Sequence, residues 1–180
     1  MRPTDSLVRM FKAKRVCLRP FEREDAEKYR RWVNDPEIVS LVDRVRPVTA
    51  EEHHRWYQTI ISDPHCVIFA VEVLSDKRFV GCIWLYSIDD RHRHAELRIL
   101  IGDKRHWRKG IGREAISLLT EFAFQKLSLH KLYAYVLATN KGALATFEKS
   151  GFAREGLLRQ ERYLDGKFVD VVRFGLLRRE

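Results

Sequence analysis

The stretch Ala95–Lys126, AELRILIGDKRHWRKGIGREAISLLTEFAFQK, constrains the fold more than any other part of the chain. It opens as an apolar run of strand length, crosses a basic loop and reaches Gly110-Ile111-Gly112. It then continues with Ile111, Ala115, Leu118, Leu119 and Phe122 at helical spacing. A β-rich run, Leu132–Ala138, follows closely. A strand, a helix and a second strand in such close succession predict a right-handed crossover, with 132–138 parallel to 94–101. Lys104, Arg105, Arg108, Lys109 and Arg113 populate the loop with no acid among them. Glycines there let backbone N–H groups approach a ligand closely. The helix start adds unpaired donors and partial positive charge, so the loop is expected to take a phosphate-bearing ligand. The alternative is a solvated basic loop with two turn glycines.

The flanks extend this unit. All five prolines lie at or before Pro64, which leaves residues 65–180 free to form uninterrupted sheet and helix. Arg15–Pro20 alternates as a first strand, and Phe21–Val33 has a helical apolar side in Tyr29, Trp32 and Val33. Asn34-Asp35-Pro36 breaks that helix, and 38–42 is ambiguous. Thr49 followed by Glu52 is a capping box that starts a second helix, ended by Ser62-Asp63-Pro64. Cys66–Leu74, Phe79–Ile88 and His94–Ile101 form a three-strand antiparallel meander. Asn140 begins a short helix closed by Gly151, and Phe152–Tyr163 and Phe168–Leu177 are strands joined through Asp165-Gly166. Residues 1–14 are expected to be disordered and 15–178 to form a single domain, with neither repeats nor linkers.

Several function classes are excluded. Cys17, Cys66 and Cys82 are odd in number and scattered, which argues against a disulfide framework or zinc site and for structural cysteines. His92 and His94 could share a strand face, but no cysteine or acid is expected to complete a metal shell around them, so no metal is expected. The N-terminus lacks an uninterrupted apolar core and no run approaches the ~20 residues of a membrane span. Cytoplasmic residence and no membrane partner follow as the default. The net charge of +9 suits an anionic ligand and argues mildly against a polycationic substrate. Gly110-Ile-Gly112-Arg-Glu-Ala115 matches the loose dinucleotide pattern G-x-G-x-x-A. That pattern also needs an acid after the next strand, and 132–138 carries none. No P-loop occurs. Nucleic-acid binding by the basic loop, with Trp107 stacking on a base, stays as the rival from another class, although no recognised module accompanies it.

The Trp107-Arg-Lys-Gly-Ile-Gly112 loop, the Leu132–Ala138 strand and Asn140…Phe147-Glu-Lys-Ser-Gly-Phe152 resemble the GNAT superfamily of acyl-CoA-dependent N-acetyltransferases. Leu18-Arg-Pro20 and Trp32-Val-Asn-Asp-Pro36 narrow the resemblance to the branch of ribosomal-protein alanine, spermidine and amino-sugar acetyltransferases, over about residues 15–178. The resemblance implies an α/β (α+β) fold: a mixed, mostly antiparallel sheet of six to seven strands with a central parallel pair and about four helices. It implies acetyl-CoA as co-substrate, with the pyrophosphate on Arg108, Lys109, Gly110, Ile111, Gly112 and Arg113. The pantetheine arm would slot between the two parallel strands near Asn140, which also reads as a plain helix N-cap.

Acetyl transfer to an amine needs a base, because a free alkyl amine is protonated at neutral pH. Glu96 matches a glutamate common in the branch and is the candidate base, against a plain strand glutamate paired with Arg98. His94 is second. Backbone N–H groups of Leu100, Ile101 and Gly102 are the expected oxyanion donors. The usual tyrosine acid is Phe147 here, so the general acid stays unassigned among Tyr133, Tyr135, another tyrosine and solvent. Trp32, Trp56, Tyr57 and Trp84 could stack on a sugar or nucleotide, or serve as core aromatics. The expected acceptor is a nucleotide-linked amino sugar or a protein N-terminus. A polyamine is the alternative, and the chain is expected to be a monomer or homodimer.

Overall fold

Alternating apolar residues and Gly-marked turns produce one seven-stranded sheet in the computed structural model, which describes residues 11–42 and 47–179. In chain order the elements are β1 (Val16–Pro20), α1 (Arg23–Trp32), α2 (Pro36–Val39), α3 (Ala50–Ser62), β2 (Val67–Val73), β3 (Arg78–Asp89) and β4 (His94–Ile101). They continue as α4 (Ile111–Gln125), β5 (Lys131–Leu137), α5 (Lys141–Lys149), β6 (Ala153–Leu164) and β7 (Lys167–Leu177). The spatial order is β1-β2-β3-β4-β5-β7-β6. Among the described residues only β4 and β5 are parallel, as expected of a crossover, and every other neighbouring pair of strands is antiparallel.

Local chemistry sets the ends of the elements. Thr49 and Glu52 close the capping box of α3, with the Thr49 hydroxyl accepting from Glu52 N–H at 3.1 Å. The short helix α2 settles the ambiguous 38–42 region. Asp35 caps it and Pro36 occupies the first turn, where a missing N–H costs nothing. Gly151 ends α5 in the left-handed region (φ 88°), and Asp165 and Gly166 (φ 48° and 78°) make the tight β6–β7 turn.

The sheet divides two cores. On one face α4 and α5 pack over Val80, Leu85, Leu97 and Phe174; on the other α1 and α3 pack over Ala70, Cys82, Trp84 and Leu100. Part of the segment 1–14 makes contacts with the domain. Phe11 is buried and meets the Phe122 ring edge-on at 5.2 Å, and Lys12 bridges to Cys17. Residues 1–10 lie outside the described residues. The three cysteines are free and buried. Burial pushes the Cys66 thiol up to about 12 and Cys82 well above its ordinary value, so neither is a nucleophile at neutral pH.

Candidate active site

The parallel pair holds together for only three registers: His94 with Lys131, Ala95 with Leu132 and Glu96 with Tyr133. Beyond Glu96 the strands diverge, so one edge of β4 from Leu97 to Ile101 has no strand beside it. The other edge stays on β3, with Leu100 opposite Cys82. Gly102 and Asp103 both donate their N–H to Val80 O, at 2.9 and 3.1 Å. N–H groups of alternate residues point the same way in an antiparallel ladder. Leu100 therefore also turns its N–H to β3, while Ile99 and Ile101 turn theirs into the gap. This corrects the expected donor set: of Leu100, Ile101 and Gly102, only Ile101 presents an N–H to the opening. Gly102 serves packing, since a Cβ there would lie 1.9 Å from the Trp32 ring. The Ile101 carbonyl is taken by Trp107 Nε1 at 2.6 Å. That bond, and the packing of Trp107 against the core, remove this ring from the base-stacking role the nucleic-acid reading gave it.

The loop after β4 sorts its cations. Lys104 pairs with Asp35 and Glu37, each at 2.7 Å, and Arg105 with Asp103 at 2.7 Å. The Arg105 hydrogen bond holds the Asp103 carboxyl down to about 2, against its partial burial. Arg108, Lys109 and Arg113 make no ion pair with a described residue. They surround the start of α4, where Gly110 sits in the left-handed region (φ 78°) and supplies no side-chain cap. The N–H groups of Ile111, Gly112 and Arg113 are therefore left without intrahelical acceptors. From behind, Arg15 grips Glu114 through Nε at 2.7 Å and through its own N–H at 2.9 Å, and its Nη1 donates to Lys109 O. A side chain at Gly110 would meet Arg15 Nη2 at 2.5 Å. Arg15 was not singled out from sequence, because its partners lie about a hundred residues away.

Even-numbered residues of β4 and odd-numbered residues of β5 share the α1/α3 face of the sheet. Past the cover of those helices this face carries Tyr86, Glu96, Arg98, Tyr133, Tyr135 and Arg173. Glu96 is buried and paired bidentately with Arg98, whose guanidinium lies 4.6 Å over the Tyr86 ring. Glu96 thus has the plain partner weighed for it, and it also stands at the last register before the gap. Arg173 lies 5.2 Å over Tyr133 and 5.9 Å over Tyr135. Its Nε is shielded from solvent without a hydrogen bond. Burial first, then the nearby Glu96 charge, raises the Tyr133 phenol above its usual value.

Other candidates resolve plainly. Asn140 caps α5 (Oδ1 accepting from Ala143 N–H at 3.0 Å) and its Nδ2 donates to Leu41 O at 3.0 Å. Phe147 is core, stacked on Phe174 at 5.6 Å. Trp32, Trp56, Tyr57 and Trp84 belong to the second core, with Trp56 stacked on Tyr29 at 5.1 Å. The expectation that no acid stands by His92 and His94 is corrected. Asp89 closes on both, because the β3–β4 turn folds back on itself.

Comparison with known proteins shows the family. Residues 15–153 match the acetyltransferase (GNAT) domain family. The chain is 32% identical over 162 residues to the spermidine N(1)-acetyltransferase of Vibrio cholerae serotype O1, covering 90% of this chain and 92% of that protein. It is 28% identical over 176 residues to the putative ribosomal N-acetyltransferase YdaF of Bacillus subtilis strain 168, covering 92% of each. The crystal structure of spermidine N-acetyltransferase from Vibrio cholerae in complex with CoA and spermine matches with a TM-score of 0.84 at 31% identity, covering 92% of this chain and 96% of that chain. Among the described residues, no helix is long and apolar enough to cross a membrane.

Proposed function

The chain belongs to the GNAT acetyltransferase family, and we propose that it acetylates the primary amine of an anionic acceptor, a nucleotide-linked amino sugar, on the sheet face around Glu96 and Tyr133. That it is an acetyl-CoA-dependent N-acetyltransferase follows from the family and its relatives; the acceptor and the residue roles are the proposal.

The residues present fit the co-substrate. Three free cations and the open N–H groups of α4 suit a pyrophosphate, and the uncovered edge of β4 suits an extended pantetheine arm. When bound, acetyl-CoA supplies the acetyl thioester: the amine forms the new C–N bond, the C–S bond breaks, and the thiolate takes up a proton. In this reading Glu96 removes the amine proton, directly or through water, as a carboxylate at the mouth of the gap is placed to do. The Ile101 N–H steadies the carbonyl oxygen. Tyr133 returns the proton, since its raised pKa keeps the phenol protonated throughout the neutral range. Asn140 lines the arm at the start of α5.

The observation that carries the acceptor class is the state of the charges beside Tyr133. Glu96 is taken by Arg98, and Glu155 by Lys131 at 2.6 Å, while the Arg173 Nε makes no hydrogen bond and reaches Glu155 only at 3.7 Å. A polycation finds no free carboxylate here, whereas a phosphate finds a guanidinium held only by a long ion pair to Glu155 and by ring contacts. A polyamine acceptor is the second reading, favoured by the relatives named as spermidine acetyltransferases.

The test is thiol release from acetyl-CoA with a nucleoside-diphosphate amino sugar, spermidine and a peptide with a free N-terminus. The expected result is the highest kcat/KM with the nucleotide sugar, lowered by Arg173→Ala. Spermidine turned over best, with Arg173→Ala neutral or beneficial, would replace this reading by the second.

A further inference from the structure

The end of the β3–β4 hairpin gathers three groups to which the proposed mechanism gives no role. Asp89 closes β3, His92 sits in the turn, and His94 opens β4 directly opposite Asp89. The turn is irregular. The register shifts between Tyr86 and Asp89, and Ser87 and Arg93 both adopt left-handed backbone (φ 51° and 55°) without being glycine. This bend folds the turn onto the strand ends. Asp89 accepts from His92 N–H at 2.7 Å and meets His92 Nδ1 at 2.9 Å. The two imidazoles lie nearly parallel, 5.8 Å between centroids. One donor atom from each of the three residues lies within 4.8 Å of the other two.

A second observation, separate from this proximity, points to a ligand. His94 Nδ1 is shielded from solvent and has no hydrogen-bond partner. A sheltered imidazole nitrogen in that state leaves a lone pair or a proton unsatisfied, which costs free energy unless something binds there. The same ring meets the Tyr133 ring edge-on at 5.6 Å. Two of the neighbouring cations are engaged elsewhere: Arg93 donates to Ser128 O, and Lys131 pairs with Glu155.

We propose that Asp89, His92 and His94 form a binding site for a borderline transition-metal ion of the zinc, cobalt or nickel class. Two imidazoles and one carboxylate suit such ions, which take these ligands at about 2.0–2.2 Å. Magnesium and calcium prefer all-oxygen shells and are rejected. Three protein ligands leave an open position for water. His92, the most exposed of the three, is the ligand with room to move as the remaining distances close. The ion locks an irregular hairpin whose strand β4 reaches Glu96 two residues later, so occupancy stiffens the approach to the candidate base.

The test uses the full chain without a histidine tag, stripped with chelator. Isothermal titration with zinc, and visible absorption on titration with cobalt, are measured on the native chain and on His94→Ala, His92→Ala and Asp89→Asn. His54→Ala, an exposed histidine on α3, is the control. The expected result is one ion per chain, a cobalt d–d band of low-coordinate geometry, and a rise in melting temperature with zinc but not magnesium. Each histidine substitution should weaken zinc at least about tenfold, the scale on which even outer-shell changes act, while His54→Ala leaves it unchanged. His92 and Asp89 are solvent-accessible, so their variants keep the test decisive if His94→Ala does not fold. No stoichiometric binding, or binding equally strong in His92→Ala and Asp89→Asn, overturns the proposal.

Discussion

Glu96 and Arg98, two positions apart on β4, form a bidentate ion pair, with Nε to Oε1 at 2.6 Å and Nη2 to Oε2 at 2.9 Å. The pair orients the carboxylate at the last register before β4 and β5 separate. Glu96→Gln should lower kcat by about 10²-fold or more, the scale of general-base catalysis, with little change in the melting temperature. Arg98→Ala leaves a buried carboxylate unpaired and should cost about 1–3 kcal/mol of stability, read by chemical denaturation. Unchanged turnover in Glu96→Gln would reduce the pair to a structural clasp.

Tyr133 gives a prediction with a pH signature. Burial, then the charge of Glu96, raises its phenol above the ordinary value. An acid with a raised pKa keeps its proton until the pH passes that raised value, so the native enzyme should show no loss of rate from this group below about pH 10. Tyr133→Phe should lower kcat about tenfold or more across the neutral range without a comparable change in the KM for acetyl-CoA. An equal rate in the variant would return the acid role to solvent.

Arg15 braces the phosphate-binding loop from behind through Glu114 and the Lys109 carbonyl. Arg15→Ala should raise the Kd for CoA by roughly tenfold, about 1.4 kcal/mol, with a smaller effect on kcat. Arg15→Lys should recover part of the loss, because an ammonium lacks the fork that grips Glu114 and Lys109 together. Gly110→Ala should behave like Arg15→Ala, since its Cβ meets the same guanidinium and its backbone is left-handed.

Asp103 ties stability to acid pH. Its hydrogen bond from Arg105 holds the folded-state pKa at about 2, below the unfolded value near 3.9. A depressed carboxylate stabilises the fold fully above the unfolded value, and the contribution fades as pH falls through the folded one. Asp103→Ala should therefore cost about 1 kcal/mol near neutrality, the scale of a lost cap. The difference from the native chain should shrink between about pH 4 and pH 2, measured by urea denaturation at each pH.

Local signals in the sequence are legible where the structure-forming force is local. The Thr49/Glu52 box, the Asp165-Gly166 turn, the Gly151 stop and the basic Gly110–Gly112 loop all act within a few residues, and all are formed. The crossover was legible because a helix between two strands leaves few topologies. What sequence hides is pairing at a distance. The sharing of basic residues between Asp35, Glu37 and Asp103 and the free site around α4 depends on how the loop folds against α2. The demand for glycine at 102 comes from Trp32, seventy residues earlier. The N–H directions that set Leu100 and Gly102 aside in favour of Ile101 follow from strand register, which no local pattern specifies. The closure of Asp89 on His92 and His94 needs an irregular turn with non-glycine residues in left-handed backbone.

Calorimetric titration of acetyl-CoA into the native chain and into an Arg108→Ala/Arg113→Ala double variant, at low and high salt, tests most directly whether the start of α4 is the anchor for the co-substrate. One molecule should bind per native chain, about tenfold or more weaker in the double variant. The native chain should lose affinity with salt more steeply than the variant, as expected when two phosphate-facing cations are removed. Equal affinity and equal salt dependence in the two proteins would contradict the account and place the pyrophosphate elsewhere.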